Sequence, residues 1–393
     1  MHVLREQREG GDLKRLREAW RARETFALLP AKMEVSPVWL EEALARLPEP
    51  LREEHFLLLT SGTTGQPKLV IGAKERAEAL AALLHEVQDG DAAATATLAL
   101  PISYCYALVN QFVWGEITGR PVVETRGFAD PQSLAEALER GEDTMLCLVG
   151  AQLPLLWRFF SGRVFERVVR LHFAGGRFPQ ERLAELLETF PRAAIYNNYG
   201  CAEAMPRLTV RRAEDSNSWS NVGKPLPGIE LRVGSAQQLT FRSRYGAVAI
   251  DEGKALQMID AETWVATGDL AQASDDGSFS LLGRASEVFK RHGEKVSTSR
   301  VLSTVAEVWS RQAVAFRQAD RNGEEGYVLV LCPEPDKAQL RTILRQLRDY
   351  HPRAHWPLSV EAVTEVPLLS NGKVDPRALA GSKNKKQLWR QRI

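Results

Sequence analysis

The sequence predicts an α/β protein, with a large N-terminal domain of mostly parallel sheets and helices plus a β-rich section, followed by a small mobile α+β C-terminal domain. Three observations carry this. Between residues 92 and 199, short apolar runs alternate with amphipathic stretches of helix length, the pattern of parallel strands joined by crossing helices. After Glu203 the runs shorten and glycines 246, 253, 268 and 277 mark turns. From Gly283 the charge rises, and a compact alternation of helix and strand follows. The boundary falls between 283 and 284, giving domains 1–283 and 284–393.

In chain order, residues 1–50 read as charged helices, with Leu13, Leu16 and Trp20 at helical spacing and Pro48 and Pro50 as the stop. The apolar run from Phe56 to Leu59 is a strand, and a second apolar run starts at Leu69. Helices are expected over 73–86, 131–140, 154–160 and 179–190. Strands are expected over 92–101, 120–124, 144–149, 168–173 and 193–196. In the tail, helices over 301–309 and 337–350 accompany strands over 327–331 and 358–363, and the basic stretch 381–393 reads as a frayed end.

The 393 residues suffice for two or more domains. An apolar fraction of 44% and a net charge of +1 are those of an ordinary globular chain, without the field that nucleic acid or an acidic membrane calls for. Cys105, Cys147, Cys201 and Cys332 stand far apart, so neither a disulfide framework nor a zinc site is expected. No apolar stretch reaches the ~18 residues of a membrane span. The charged N-terminus is unlike a signal peptide, and the expected compartment is the cytoplasm.

Chemistry concentrates where strands end. Thr60, Ser61, Gly62, Thr63, Thr64, Gly65 and then Lys68 form a polar glycine turn between two apolar runs. Its hydroxyls, free backbone N–H groups and one cation suit phosphates, or else a plain hairpin turn. It is not a Walker A loop, because Pro67 precedes the lysine and an apolar run follows. Gly175 and Gly176 leave a strand and let backbone approach a flat ligand. Asn197-Asn198-Tyr199-Gly200-Cys201-Ala202-Glu203 offers amides, an aromatic ring and a carboxylate that can hold Mg²⁺ with phosphates. Thr267-Gly268-Asp269 is read as a turn bearing an acid, and 283–293 as a cationic linker. Asn371-Gly372 would hold Lys373 on a loop tip, either as an exposed lysine or as a charge carried into a site.

Taken in this order, the motifs resemble the adenylate-forming superfamily: acyl- and aryl-CoA synthetases, adenylation domains of nonribosomal peptide synthetases, and luciferases. Thr60–Lys68 is similar to its phosphate loop, Tyr199–Glu203 to its Tyr-Gly-x-Thr-Glu motif, and 221–228 to its Gly-x-Pro-x-Pro-Gly segment. Asp269, Gly283-Arg284 and Lys373 match later motifs. The resemblance implies that a carboxylate attacks the α-phosphate of ATP, giving an acyl-adenylate, and that a thiol then displaces AMP. By the same resemblance, Thr60–Gly65 and Lys68 hold the β/γ phosphates. Glu203 holds Mg²⁺, Tyr199 stacks near adenine with Gly200 beside it, and Asn198 contacts the adenine edge. Asp269 takes the ribose hydroxyls with Arg284, Lys373 is the catalytic lysine, and the C-terminal lid swings at Ser286.

Departures from the family refine this. Ala202 replaces the motif's threonine, and the segment 101–108 lacks the pair that grips an α-amino acid. Tyr104, Tyr106 and Cys201 suggest an aryl or short acyl acid. Only 59 residues precede Thr60, so an N-terminal subdomain is expected to be mostly absent, leaving a pocket that is open or completed by a partner or second copy of the chain, as in a homodimer. The expected acceptor is the phosphopantetheine thiol of a carrier protein, with CoA as the alternative. A nucleotide-binding partner protein without turnover is the reading from another class.

Overall fold

A computed structural model describes residues 2–7, 12–31, 36–61, 67–253, 255–368, 374–382 and 384–391. The chain divides into two compact units. One comprises 1–232, 240–267 and 274–279; the other comprises 233–239, 268–273 and 280–393.

The first unit holds two sheets. In one, β1 (His2–Arg5), β2 (Phe26–Leu29) and β3 (His55–Ser61) run parallel. β3 turns back antiparallel into β4 (Pro67–Ala73), and Ala249–Asp251 pairs antiparallel on its far side. Leu57, Leu59, Leu69 and Ile71 meet Ala43, Leu47 and Leu51 on one face. Phe26 and Phe56 face the other way, onto Trp20 of α1 (Asp12–Arg21), whose ring lies 5.2 Å from that of Phe56. Burial on both faces explains unbroken apolar runs in β3 and β4, where alternation would mark a half-exposed strand.

The helical expectation for residues 1–50 holds for α1 and for α2 (Pro37–Ala45), and is corrected at β1 and β2, which are strands. Four buried apolar residues of β2 are too few to show a period, and parallel pairing with β3 decides their form.

The second sheet places β5 (Thr95–Thr97), β6 (Val122–Val123), β7 (Thr144–Val149), β8 (Val168–Ala174) and β9 (Ala194–Tyr199) in the order β6-β5-β7-β8-β9, all parallel. β10 (Thr209–Arg212) and β11 (Asn221–Pro225) continue it antiparallel. Leu146, Leu148, Leu171, Phe173 and Ile195 point to a core shared with the helices Pro131–Arg140, Leu153–Phe160 and Leu183–Thr189. Met145 and Val169 point the opposite way and pack with Trp114, which lies in the helical stretch 105–118. In β7 this alternation follows the two-residue period of a strand; in β8 the register shifts near its start, which sets Val169 on the opposite face from Leu171 and Phe173. Several expected bounds shift: the 92–101 strand shrinks to Thr95–Thr97, the 120–124 strand to Val122–Val123 and the 179–190 helix to Leu183–Thr189, while the 193–196 strand extends to Tyr199. Asn197, Asn198 and Tyr199 therefore sit on a strand and not after one.

The second unit packs the helices Thr298–Ala306 and Lys337–Tyr350 on a four-stranded sheet, Gln312–Ala319, Glu325–Cys332, Ser359–Ala362 and Lys386–Arg390. Asp336 caps the longer helix, accepting from the N–H groups of Ala338 and Gln339. The expected frayed end at 381–393 contains an edge strand, Lys386–Arg390, antiparallel to Ser359–Ala362. Its basic residues disguise it, because charge is what an edge strand carries against unwanted pairing. Asp269 likewise lies within the strand Val265–Ala273 and not in a turn.

Phe165 is fully buried, its ring 5.2 Å from Phe160 and 5.7 Å from Phe190. We predict that Phe165→Ala destabilises the first unit by about 3–5 kcal/mol, read as an earlier denaturant midpoint for that unit. A shift below about 1 kcal/mol would show that this cluster does not carry the core.

Candidate functional site

The register of β3 and β4 sets Thr60 opposite Lys68, and the Thr60 hydroxyl donates to the Lys68 carbonyl at 3.5 Å. Gly62, Thr63, Thr64 and Gly65 lie outside the described residues, and Ser61 is described only as the last residue of β3. The Lys68 ammonium pairs with Glu203 at 2.9 Å and with Glu252 at 3.2 Å. Glu252 follows Ala249–Asp251, which pairs with β4, so sheet register delivers it.

Glu203 arrives from the other sheet. β9 ends at Tyr199, and the chain turns through Gly200 and Cys201 into the 3₁₀ turn Ala202–Ala204. A Cβ at Gly200 would stand 1.9 Å from the Pro206 carbonyl oxygen, so only glycine lets this turn close on itself. The backbone N–H of Ala247 donates to the Glu203 carbonyl at 2.9 Å, and that of Val248 to Ile71 at 2.8 Å. The two sheets are thus tied at the residue that carries the carboxylate.

Both charges are more than four-fifths covered. Burial pushes the Glu203 carboxyl up, but the charge and hydrogen bond of Lys68, a backbone N–H and the Cys201 thiol together bring it below its ordinary value of 4.5. Burial pulls Lys68 down, and Glu203 with Glu252 more than reverses this, leaving the ammonium above 10.5.

At the same end of the sheet as the turn after β9, the glycine turn follows β8. Gly175 has φ +72°, and a Cβ there would stand 2.9 Å from the Tyr104 hydroxyl. Gly175 and Gly176 are exposed and Tyr104 is half-buried. The segment before Tyr104 is held from the N-terminus: the Ile102 N–H and the Ser103 hydroxyl donate to Glu6 at 2.8 and 2.6 Å. Beneath, Tyr106 is buried, and its hydroxyl accepts from the Asn198 amide at 3.1 Å. The Gln88 amide donates to the Asn198 oxygen at 2.9 Å. Asn198 and Tyr106, expected to face a ligand, are therefore turned inward, into a polar network that joins β9 to the residues after α3 (Lys74–Val87). Tyr199, 8% exposed, alternates to the opposite side of β9. Cys201 is half-buried next to Glu203.

In the second unit, Arg284 Nε meets Asp269 Oδ1 at 2.8 Å, with Asp269 buried and Arg284 exposed. This brings together the pair expected for ribose. Ser286 is exposed in the 3₁₀ turn Ala285–Glu287, and Lys373 lies outside the described residues. Glu252, Gln88 and Glu6 escaped the sequence reading. Each acts across more than 60 positions of sequence, and none stands in a local pattern that could have marked it.

Among the described residues no helix is long and apolar enough to cross a membrane, and no three His, Cys, Asp or Glu side chains cluster to hold a metal.

The sequence profile of the AMP-binding enzyme family matches residues 10–243, more than half of the chain. The chain belongs to the AMP-binding enzyme family. Among curated relatives of this AMP-binding chain, the non-ribosomal peptide synthetase CmlP of Streptomyces venezuelae is 25% identical over 355 residues, covering 84% of this chain and 35% of that protein. The 3,4-dihydroxybenzoate–[aryl-carrier protein] ligase of Bacillus anthracis is 25% identical over 333 residues, covering 84% and 74%. The chain thus spans about a third of the first relative and most of the second. Of solved structures, o-succinylbenzoate CoA synthetase of Bacillus subtilis superposes with a TM-score of 0.71 at 18% identity, over 98% of this chain and 89% of that one. The anthranilate CoA ligase AuaEII gives 0.71 at 17% identity, over 95% and 80%. These likenesses agree with the α/β fold and with the resemblance to adenylate-forming proteins.

Removing Lys68 leaves Glu203 buried without its cation. We predict that Lys68→Met costs about 1–3 kcal/mol near neutral pH, whereas Glu252→Gln, at an acid 71% exposed, costs under about 0.5 kcal/mol. Because Glu203 is held below its ordinary value, its stabilisation is complete above pH 4.5 and is lost as pH falls through the lower folded value. The melting-temperature gap between wild type and Lys68→Met should accordingly narrow on acidification below 4.5. A gap that widens in acid would contradict the pairing. Gly200→Ala should destabilise by at least about 1–3 kcal/mol, because its Cβ meets backbone that cannot move aside.

Proposed function

We propose that this chain is an AMP-forming ligase that adenylates an aryl or short acyl acid and passes it to the phosphopantetheine thiol of a carrier protein. The observation that carries the reading is the Lys68–Glu203 contact at 2.9 Å, which gathers a cation for phosphates and a carboxylate for a divalent ion at one point. In the ligand-free chain each group holds the other in place. With ATP bound, Lys68 turns its charge to the β/γ phosphates, beside the Thr60 hydroxyl and the turn that includes Ser61. Glu203 is the residue to hold Mg²⁺, since a lone carboxylate with phosphate oxygens is a usual magnesium environment. Held there by Glu203, the ion would supply charge neutralisation for pyrophosphate as it leaves.

In the first step an oxygen of the acid's carboxylate bonds to the α-phosphorus, and the bond to the bridging oxygen breaks to release pyrophosphate. In the second the thiol sulfur bonds to the acyl carbon and AMP leaves. The chain forms no covalent intermediate, so positioning and charge stabilisation supply the catalysis. Tyr199 stacks near adenine beside Gly200, with Asn198 holding β9 from beneath. Asp269 receives the ribose hydroxyls, with Arg284 steadying its carboxylate. Gly175 and Gly176 let backbone approach the adenylate, and Tyr104 and Cys201 border the acid, with the buried Tyr106 beneath Tyr104. Lys373 acts as the catalytic cation of a lid, 284–393, that moves at Ser286.

Support for a carrier-protein acceptor comes from the Bacillus anthracis relative, named for an aryl-carrier protein, of which the chain covers 74%. A CoA acceptor is the second reading, favoured by the names of the structural neighbours. Acid-dependent exchange of labelled pyrophosphate into ATP tests the first step. Lys68→Met and Glu203→Gln should lower it about 10²–10³-fold. Lys373→Ala should lose adenylation far more than thioester formation from preformed adenylate, and equal loss in both would remove that role. No exchange with any acid in a broad panel would refute the ligase.

A further inference from the structure

We infer that the acid activated at this site carries a second anionic group, drawn to the uncompensated charge of Arg207; this rests on the adenylation reading above.

Arg207 is fully buried and is among the largest side chains to be so. Its Nη2 donates to the Asn110 amide oxygen, and its guanidinium carbon lies 5.2 Å from the centre of the Tyr106 ring. Among the described residues its Nε and Nη1 have no hydrogen-bond partner, and the titratable groups that act on it are the Tyr106 phenol and the Cys147 thiol, with no carboxylate among them. Other buried arginines are treated differently. Arg211 donates to the carbonyls of Asn221, Arg212, Ala213, Ser216 and Ser218 and to the Gln180 side chain. Arg170 pairs with Asp89 and also meets the Gln88, Asp89 and Val169 carbonyls.

A guanidinium keeps its proton in proteins, so Arg207 remains a buried cation, and an isolated buried charge is strongly unfavourable. Its surroundings do not neutralise it. Burial pushes the Tyr106 phenol well up and the Cys147 thiol to about 12, so both stay protonated. His172, buried and facing Arg207 and Arg170, is held far below its ordinary value and stays neutral. Asn110, Asn198 and Gln88 are amides. This end of the site therefore has a polar floor with one unanswered positive charge, which suits neither a long acyl chain nor a purely apolar ring.

A file of contacts joins that charge to the accessible side. Tyr104 touches the exposed turn at Gly175, its ring centre is 6.5 Å from that of Tyr106, and Tyr106 covers Arg207. A negative group beside the two tyrosines faces Arg207 through protein interior, where screening is weak. The acid's reacting carboxylate is committed to the nucleotide, so a second anion is what this charge selects.

The test is pyrophosphate exchange with pairs of acids of matched length, each a dicarboxylate and its half-amide, from aliphatic and aromatic series. Wild type should favour the dicarboxylate in kcat/KM by roughly 10-fold, the order expected of two unit charges about 10 Å apart at an effective dielectric of about 20. Arg207→Met should bring the pair to near parity through KM for the dicarboxylate, with KM for ATP unchanged, and Arg207→Lys should restore part of the preference. Exchange that proceeds equally well or better with the half-amides overturns the inference while leaving the adenylation reading standing. No exchange with any acid overturns both. If Arg207→Met fails to fold, the wild-type preference alone decides.

Discussion

The first unit depends on one contact between two sheets. Lys68 belongs to an antiparallel hairpin of the smaller sheet, and Glu203 to the turn after a parallel strand of the larger. Neither sheet alone could hold a charge so largely covered, since a lone buried ion is expelled or neutralised. Bringing the sheets together lets each charge answer the other, and the Ala247 and Val248 backbone bonds fix the approach. Glycine at 200 is the geometric condition, because the chain must pass within touching distance of Pro206 to present Glu203. On the proposed reading, in which both groups bind ligand, the pair is also poised for exchange. Phosphate and a divalent ion offer each partner a substitute of the same sign as the one it gives up.

What the sequence revealed and what it concealed separate along physical lines. Apolar runs buried on both faces, such as Phe56–Leu59 in β3 and Met145–Val149 in β7, are legible because a short unbroken apolar run between polar neighbours suits a core strand. The Lys337–Tyr350 helix is legible from its cap and its helical spacing. β2 and the edge strand Lys386–Arg390 were not, because pairing with a distant segment decides the form of a piece too short or too charged to show a period. At the site, Lys68, Glu203, Asp269 and Arg284 could be found because each sits in a compact string of letters. Glu252, Gln88 and Glu6 are ordinary polar residues whose importance exists only once strands have been laid side by side.

Asn198 and Tyr106 show the limit of reading a motif from its letters. A strand turns alternate residues to opposite sides, so extending β9 by three residues decides which of Asn197, Asn198 and Tyr199 can meet a ligand. Asn198 falls on the inner side, and its amide joins Gln88 and Tyr106. A satisfied buried network of this kind costs little and specifies a single register, because a slip would leave several polar groups unpaired.

The same network separates two kinds of information in the chain. Groups aimed at the nucleotide are local and repeat a pattern, since every reaction of this class handles the same triphosphate. Groups that shape the acid end are scattered over α3, the helical stretch 105–118, β7, β9 and the turn at Arg207. They meet only in the folded state, and nothing requires them to follow a common spelling. On the proposed reading, the choice of acid rests with buried side chains beneath Tyr104 and not with the motifs. Among them Arg207 is the group whose chemistry is least satisfied by its own protein, and an unsatisfied group in an otherwise well-paired interior is where a ligand has the most to contribute.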